Sequence, residues 1–354
     1  MVIKKKKIDV IIPAYKAQTT IIRTLSSIAM QSMVDDINVV IANDADEIGY
    51  AEYVKIFKPF MDIYEIILDE NGGPGVARQF GIDNTQSRYF TCIDADDTFA
   101  NAFSLEVLWR SITSQPNYHT CIGSFIEQQD NFKFINHPQD MIWMFGKLYD
   151  RKFIDKYKIR FNHTRANEDN GFNTCIRLLS SEQEKVMFVQ DSVYFWHQKE
   201  DSITRKNNCQ YSYDQSFVGY TDNMIYAIKH AKKYKPFNNY IDMWAIQTMC
   251  QLYVYYYQTV KRDHRFKEQN YKYCVKYYNE IFKKYHDEML KETYENIFAE
   301  TLAQQSQNMR DFVADMTVYQ FIEKLKGEKY IPKKNDLMLT PCPDLTIKND
   351  NSIN

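Results

Sequence analysis

No stretch of the sequence approaches the length of a membrane span, and the most apolar helical candidate, Met243 to Tyr257, is interrupted by Gln247, Thr248 and Gln251. A secretory core is missing too: in MVIKKKKIDVIIPAY four lysines are followed only by Ile8 to Ile12 before Pro13, which reads as a solvated lead-in to a strand. The seven cysteines (92, 121, 175, 209, 250, 274 and 342) show no CxxC spacing, and their odd number argues against a disulfide framework. They read as small core residues in a reducing compartment. The formal net charge is only -2, so there is no overall electrostatic footprint for nucleic acid or an anionic membrane, although a local basic patch is left open. There is no internal repeat. These absences together lead us to expect a soluble, cytoplasmic protein, in a bacterium or, if viral, in a host cell.

What is present is length enough for two domains, at 354 residues. IDVIIPAY is a continuous apolar run of the kind a buried parallel strand needs, and Thr19 to Gln31 then puts Ile21, Ile22, Leu25, Ile28 and Ala29 on one helical face. INVVIAND, YEIILDE and RYFTCID repeat the strand pattern, with a helix expected at Tyr50 to Phe60 and NGGPGVARQFGIDNT read as a loop running into a helix. Strands alternating with helices predict an α/β unit with a Rossmann-like, mostly parallel central sheet, whose ligands bind beyond the carboxyl ends of the strands. Further strands are expected at 120–127 and 186–196. From about Tyr211 to Lys326 the sequence is aromatic and charged without strand alternation, which suits a C-terminal helical domain. Its tyrosine stripes read as packing more readily than as a binding platform. The expected division is 1–210, 211–330 for acceptor binding or oligomerisation, and a loosely attached or disordered tail at 331–354.

Residues 91 to 99, TCIDADDTF, set Asp94, Asp96 and Asp97 directly behind a buried strand. Carboxylates this close repel and are costly to bury, so something cationic should offset them. A helix cap is the plainer reading, and Asp97 suits it.

IDVIIPAYKAQTTIIRTLSSIAMQS, ENGGPGVARQFGI, YFTCIDADD and NEDNGFN occur in the order and spacing of the conserved blocks of family 2 glycosyltransferases with a GT-A fold, and residues 8 to 205 resemble that family. The resemblance implies a nucleoside diphosphate sugar donor, such as a UDP-sugar, and a divalent cation, Mn²⁺ or Mg²⁺, at a D-x-D motif of Asp94, Ala95 and Asp96. Hard carboxylate oxygens suit either ion. It further implies donor contacts from Pro13, Ala14, Tyr15, Asp44, Gly73 and Arg78, a phosphate clamp at Arg205, and His197 as a third metal ligand. The family usually has Gly-Ser after Asp44, where this chain has Ala45-Asp46. Turn chemistry alone would also explain Asp44 and the glycines Gly72, Gly73 and Gly75.

Glu168-Asp169 resembles the motif that carries the catalytic base of inverting members, with Asp169 the preferred base and Glu168 its substitute. A helix N-terminus, favoured by acidic residues, fits the same stretch. Trp143, Phe145 and Gly146 are similar to a segment that often meets the acceptor, with packing equally plausible. The implied activity is inverting, metal-dependent transfer of a sugar to a hydroxyl acceptor: a glycan, a polyol phosphate or, in a viral setting, a modified DNA base. Two other readings remain: a nucleotidyltransferase, which would lead with a Gly-rich basic loop not found at Pro13 to Thr20, and a non-catalytic nucleotide-sugar-binding module, which would need no base.

Overall fold

The computed structural model describes residues 3–198, 210–288, 292–306, 314–331 and 342. The chain divides into two compact units, one of Met1–His163, Ser180–Glu200 and Thr340–Asn354, the other of Thr164–Leu179 and Asp201–Leu339. The units therefore do not meet at a single boundary near 210, because residues 164–179 cluster with the helical one.

The first unit is built on strands β1 (Ile8–Ala14), β2 (Ile37–Asn43), β3 (Asp62–Ile67), β4 (Tyr89–Cys92), β5 (Thr98–Phe99), β6 (Tyr118–Gln129), β7 (Lys133–His137), β8 (Lys147–Asp150) and β9 (Lys185–Trp196). Its helices are α1 (Ile21–Ala29), α2 (Ala51–Phe57), α3 (Pro74–Asp83), α4 (Ser104–Thr113) and α5 (Arg151–Lys156). The sheet order is β3-β2-β1-β4-β8-β6-β9-β5, with β7 paired to β6. β1 and β2 are covered on both faces, β2 over its whole length, which is why they read as unbroken apolar runs.

The expected parallel order holds for β3, β2, β1 and β4. Beyond β4 the sheet is mixed: β8 runs antiparallel to both β4 and β6, β5 is antiparallel to β9, and only β6 with β9 is parallel again. A four-residue strand such as KLYD, too short to display a period of two, gives little sequence signal. Asp97 is also no helix cap, since the short strand β5 follows it and α4 begins only at Ser104.

Two close approaches fix this scaffold. A Cβ on Gly81 would lie 2.4 Å from the Ile11 side chain, so α3 packs on β1 only with glycine there. At the amino ends of the central strands, Asp9 is fully buried and accepts from the Ser87 N–H at 2.7 Å, the Ser87 hydroxyl at 2.6 Å, the Asn38 amide at 2.9 Å and Arg151 at 3.1 Å. A charge this deep persists because its lone pairs are satisfied.

The helical unit contains α6 (Glu168–Leu179), α7 (Gln210–Tyr234), α8 (Asn239–Arg262), α9 (Lys267–Glu280), α10 (Glu292–Ser306) and α11 (Val318–Lys326). α6 lies so close to α7 that a Cβ on Gly171 would meet Asn223 Oδ1 at 2.2 Å. Most tyrosines of the stripe pack, as expected: Tyr253, Tyr256, Tyr273, Tyr277 and Tyr278 are buried, and Tyr277 donates to the Ala245 carbonyl at 2.8 Å. The described helices include none long and apolar enough to cross a membrane. Six cysteines are described; all are buried and none forms a disulfide. Burial pushes the Cys92, Cys121 and Cys250 thiols up to about 12, so they are protonated and inert. Cys209 and most of the expected tail lie outside the described residues. Cys342, within that tail, is tied to the first unit: its N–H donates to the Phe161 carbonyl at 2.9 Å and its carbonyl accepts from Arg160 at 2.6 Å.

Candidate active site

The carboxyl ends of β1, β2 and β4 lie side by side, with Ala14 in register with Asn43. The chain leaves β2 directly into Asp44, whose N–H donates to the Ala14 carbonyl at 2.9 Å. Asp44 is buried, and its two carboxylate oxygens accept the Gly72 and Gly73 N–H groups at 2.8 Å each. It thus clamps the glycine loop that leads into α3. Gly73 takes φ of +85°, which a side chain would strain, and Pro74 follows at the first helical position.

Asp46, one turn further, ties the loops after β1 and β2 together. It accepts from the Lys16 N–H at 2.6 Å, the Gln18 amide at 2.8 Å and the Tyr50 hydroxyl at 2.9 Å. Burial opposes its ionisation, but these bonds and that from the Ile48 N–H outweigh it, and its carboxyl sits below the usual range. Ala45 between the two acids adopts φ of +55°. Tyr15, just past β1, is 47% exposed and offers an accessible ring at the same edge.

From α3, Arg78 reaches Asp94 Oδ1 at 2.7 Å. The cation expected beside the aspartates is thus in part a guanidinium of the protein itself. A second one comes from α1: Arg23 donates through Nε and Nη2 to the carbonyl of Asp96. Asp97 points the other way, inward. It accepts from the Tyr194 hydroxyl at 2.6 Å and the His197 N–H at 2.9 Å. Burial, followed by the charges of Asp94 and Asp96, holds its carboxyl well above the ordinary value.

His197 lies next to this group, its Nε2 2.9 Å from the Thr98 hydroxyl. Burial, helped by Arg23, lowers its imidazole to about 4, so it is neutral at physiological pH. Among the described residues no three His, Cys, Asp or Glu side chains gather as metal ligands. Asp94, Asp96 and His197 therefore do not form a three-ligand cage.

Phe145 is buried and stacks on Tyr194 at 4.8 Å, while Trp143 lies against Phe145 and Trp196. Packing is what this segment does here. Gly146, at φ of +62°, makes the turn into β8. Glu168 and Asp169 occupy the first turn of α6, in the helical unit, Glu168 buried and Asp169 half-buried. The helix-terminus reading of these acids holds, and it is compatible with a catalytic one. Arg205 lies outside the described residues.

Arg23, Asp46 and Tyr194 were not singled out in the sequence. Arg23 had a signal, being the one cation on a helix of apolar and small residues. Tyr194 had none, sitting about a hundred positions from the aspartates it supports.

Residues 9–167 match the model of the glycosyl transferase family 2 family. The chain is 28% identical over 226 residues to the glycosyltransferase GlyA of Streptococcus pneumoniae, covering 56% of this chain and 32% of that protein. It is 23% identical to a poly(ribitol-phosphate) beta-glucosyltransferase of Bacillus spizizenii, covering 63% and 37%. The match thus spans about a third of the length of these curated relatives. In structure it is similar to residues 1–349 of S. aureus TarS in complex with UDP-GlcNAc, with a TM-score of 0.52, 14% identity, and coverage of 84% of this chain and 80% of that one. At that identity the likeness is one of fold.

Proposed function

We propose that residues 9–167, which match the glycosyl transferase family 2 model, form a glycosyltransferase domain, and that the protein is an inverting, metal-dependent transferase moving sugar from a UDP-sugar to a hydroxyl of a glycan or cell-surface polymer. The observation that carries this reading is the meeting of Asp44, Arg78, Asp94 and Asp96 at one edge of the sheet, with two guanidinium groups among the acids. A donor diphosphate needs positive charge around it and a cation needs carboxylates; this edge offers both.

In this reading the half-exposed Asp94 and Asp96 hold Mn²⁺ or Mg²⁺, for which two hard carboxylates without a third side-chain ligand are a fitting donor set when the diphosphate supplies further oxygens. The ion would neutralise charge on the departing diphosphate. Arg78, anchored on α3, orients Asp94. Asp44 fixes the glycine loop so that its backbone approaches the donor closely, and Tyr15 offers a ring to the nucleobase. Pro13 and Ala14 set the floor beneath it. His197, neutral, stays available beside Thr98, and Arg205 serves as a phosphate clamp. Asp169 accepts the acceptor hydroxyl proton, with Glu168 as its substitute.

The test is a titration of the protein with UDP, GDP and other nucleotide sugars, with Mn²⁺ and after EDTA, followed by hydrolysis of whichever binds. Mn²⁺-dependent binding of a UDP-sugar and its slow hydrolysis are expected. Nucleotide binding that is unchanged by EDTA would remove the metal from the reading, and failure of every nucleotide to bind would remove the donor.

A further inference from the structure

The helical unit holds a cavity of about 360 Å³ that the donor site does not use. This is within the size range of small-ligand sites. Three lysines from three different helices border it: Lys261 of α8, Lys267 of α9 and Lys324 of α11, with His264 beside them. All are exposed, and among the described residues none of the three lysines enters an ion pair. The one acid in the lining among the described residues is Asp315, which already accepts the Tyr257 hydroxyl. Solvated lysines are ordinary on a surface. Among the described residues three lysines thus converge on a cavity lined by one carboxylate, with Glu328 beside it on the Tyr271 hydroxyl at 2.7 Å, so cations outnumber acids there in a chain whose formal charge is -2.

The walls are aromatic. Tyr256 packs on Tyr257 with ring centroids 5.0 Å apart and on Tyr271 at 6.1 Å, and Lys324 Nζ lies 4.8 Å from the Tyr271 ring. Burial raises Tyr256 to about 12, with Cys274 and Asp315 adding to it, so its ring wall is neutral. Tyr256 itself is buried, while Tyr257 and Tyr271 are half-exposed; their ring faces suit the C–H face of a sugar or polyol, and ammonium groups suit phosphate oxygens.

We propose that this cavity binds a phosphate ester of a polyol, as a free molecule or as a repeat of a phosphodiester-linked chain. The lysines take the phosphate and the tyrosines take the carbon skeleton. The site extends the acceptor half of the function proposed above, and its test reads binding without transfer, so that either can fail while the other stands.

Calorimetry on the full chain should use four probes: a short poly(glycerol phosphate), glycerol 3-phosphate, glycerol and inorganic phosphate. Glycerol 3-phosphate should bind more tightly than inorganic phosphate, and glycerol should not bind. Tighter binding of the polymer than of the monomer would identify a chain as the ligand, and equal binding a free polyol phosphate. The triple variant Lys261→Gln, Lys267→Gln, Lys324→Gln removes only exposed charges and should weaken the phosphate ester about tenfold or more at low salt while nucleotide affinity is unchanged. Equal binding by variant and wild type would overturn the proposal. So would glycerol binding as well as its phosphate, or inorganic phosphate binding as well as glycerol 3-phosphate.

Discussion

Arg78 and Asp94, sixteen positions apart, are joined at 2.7 Å, the arginine side chain 6% exposed and the aspartate 30%. The guanidinium is inside the protein while the carboxylate faces outward, so the pair belongs half to the fold and half to the site. Substitutions at Asp94 and at its neighbour Asp96 should accordingly separate.

Asp94→Asn should cost stability as well as function. Losing one member of a buried pair costs several kcal/mol, and the exposure of Asp94 reduces this to about 1–2 kcal/mol. Asp96→Ala keeps the backbone carbonyl that Arg23 holds and should abolish Mn²⁺-dependent nucleotide binding. Thermal melts and nucleotide titrations on both variants check this, and an Asp96→Ala protein that binds nucleotide normally would sink the metal assignment.

Asp169→Asn keeps the shape of the side chain but removes its ability to take a proton. Turnover should drop about 10²-fold or more, the usual size of a general-base contribution, with donor affinity unchanged. Equal losses of kcat and of nucleotide binding would instead make Asp169 a binding or folding residue.

Ala45 sits at φ of +55°, where a Cβ is strained by about 1–2 kcal/mol. Glycine relieves that strain and loses roughly 0.5–1 kcal/mol through its freer unfolded chain. Ala45→Gly should therefore stabilise the protein by about 0.5 kcal/mol, read as a higher denaturation midpoint at unchanged slope.

Asp46 has its carboxyl below the ordinary value of 3.8, because Gln18, the Lys16 N–H, Tyr50 and the Ile48 N–H outweigh its desolvation. A lowered folded-state value means that the unfolded chain binds the proton first. The stabilisation is fully present above about pH 4 and is lost as pH falls through the folded value. Comparing the melting temperatures of wild type and Asp46→Asn between pH 6 and pH 2.5, the gap should narrow on acidification. A gap that is constant with pH would mean that charge at Asp46 contributes nothing.

β3, exposed at both ends, was legible only from the apolar run in YEIIL, whereas β1 and β2 were legible because a strand buried on both faces must be apolar throughout. The aspartates were legible because acids directly behind such a strand demand a cation. β8 was not, since its four residues take their structure from the antiparallel partners β4 and β6 on either side. Asp97 was read as a cap for a related reason: only a tertiary contact, the Tyr194 hydroxyl from β9, reveals that it turns inward. Arg23 and Asp46 act on neighbours more than twenty positions away, a range at which residue spacing carries no information.

The order in which the chain visits its two units has a consequence for inheritance. It leaves the sheet unit at His163, builds α6 in the helical one, and returns at Ser180 to lay down β9. No single crossover in the gene can exchange one unit for another, because any cut that keeps β9 with its sheet also keeps α6, whose Gly171 is shaped to Asn223 of α7. A recombinant that brought in a foreign helical unit after Glu200 would pair the old α6 with a stranger. Replacing the helical unit in one crossover would thus require an incoming α7 that fits the resident α6 with no side chain at position 171.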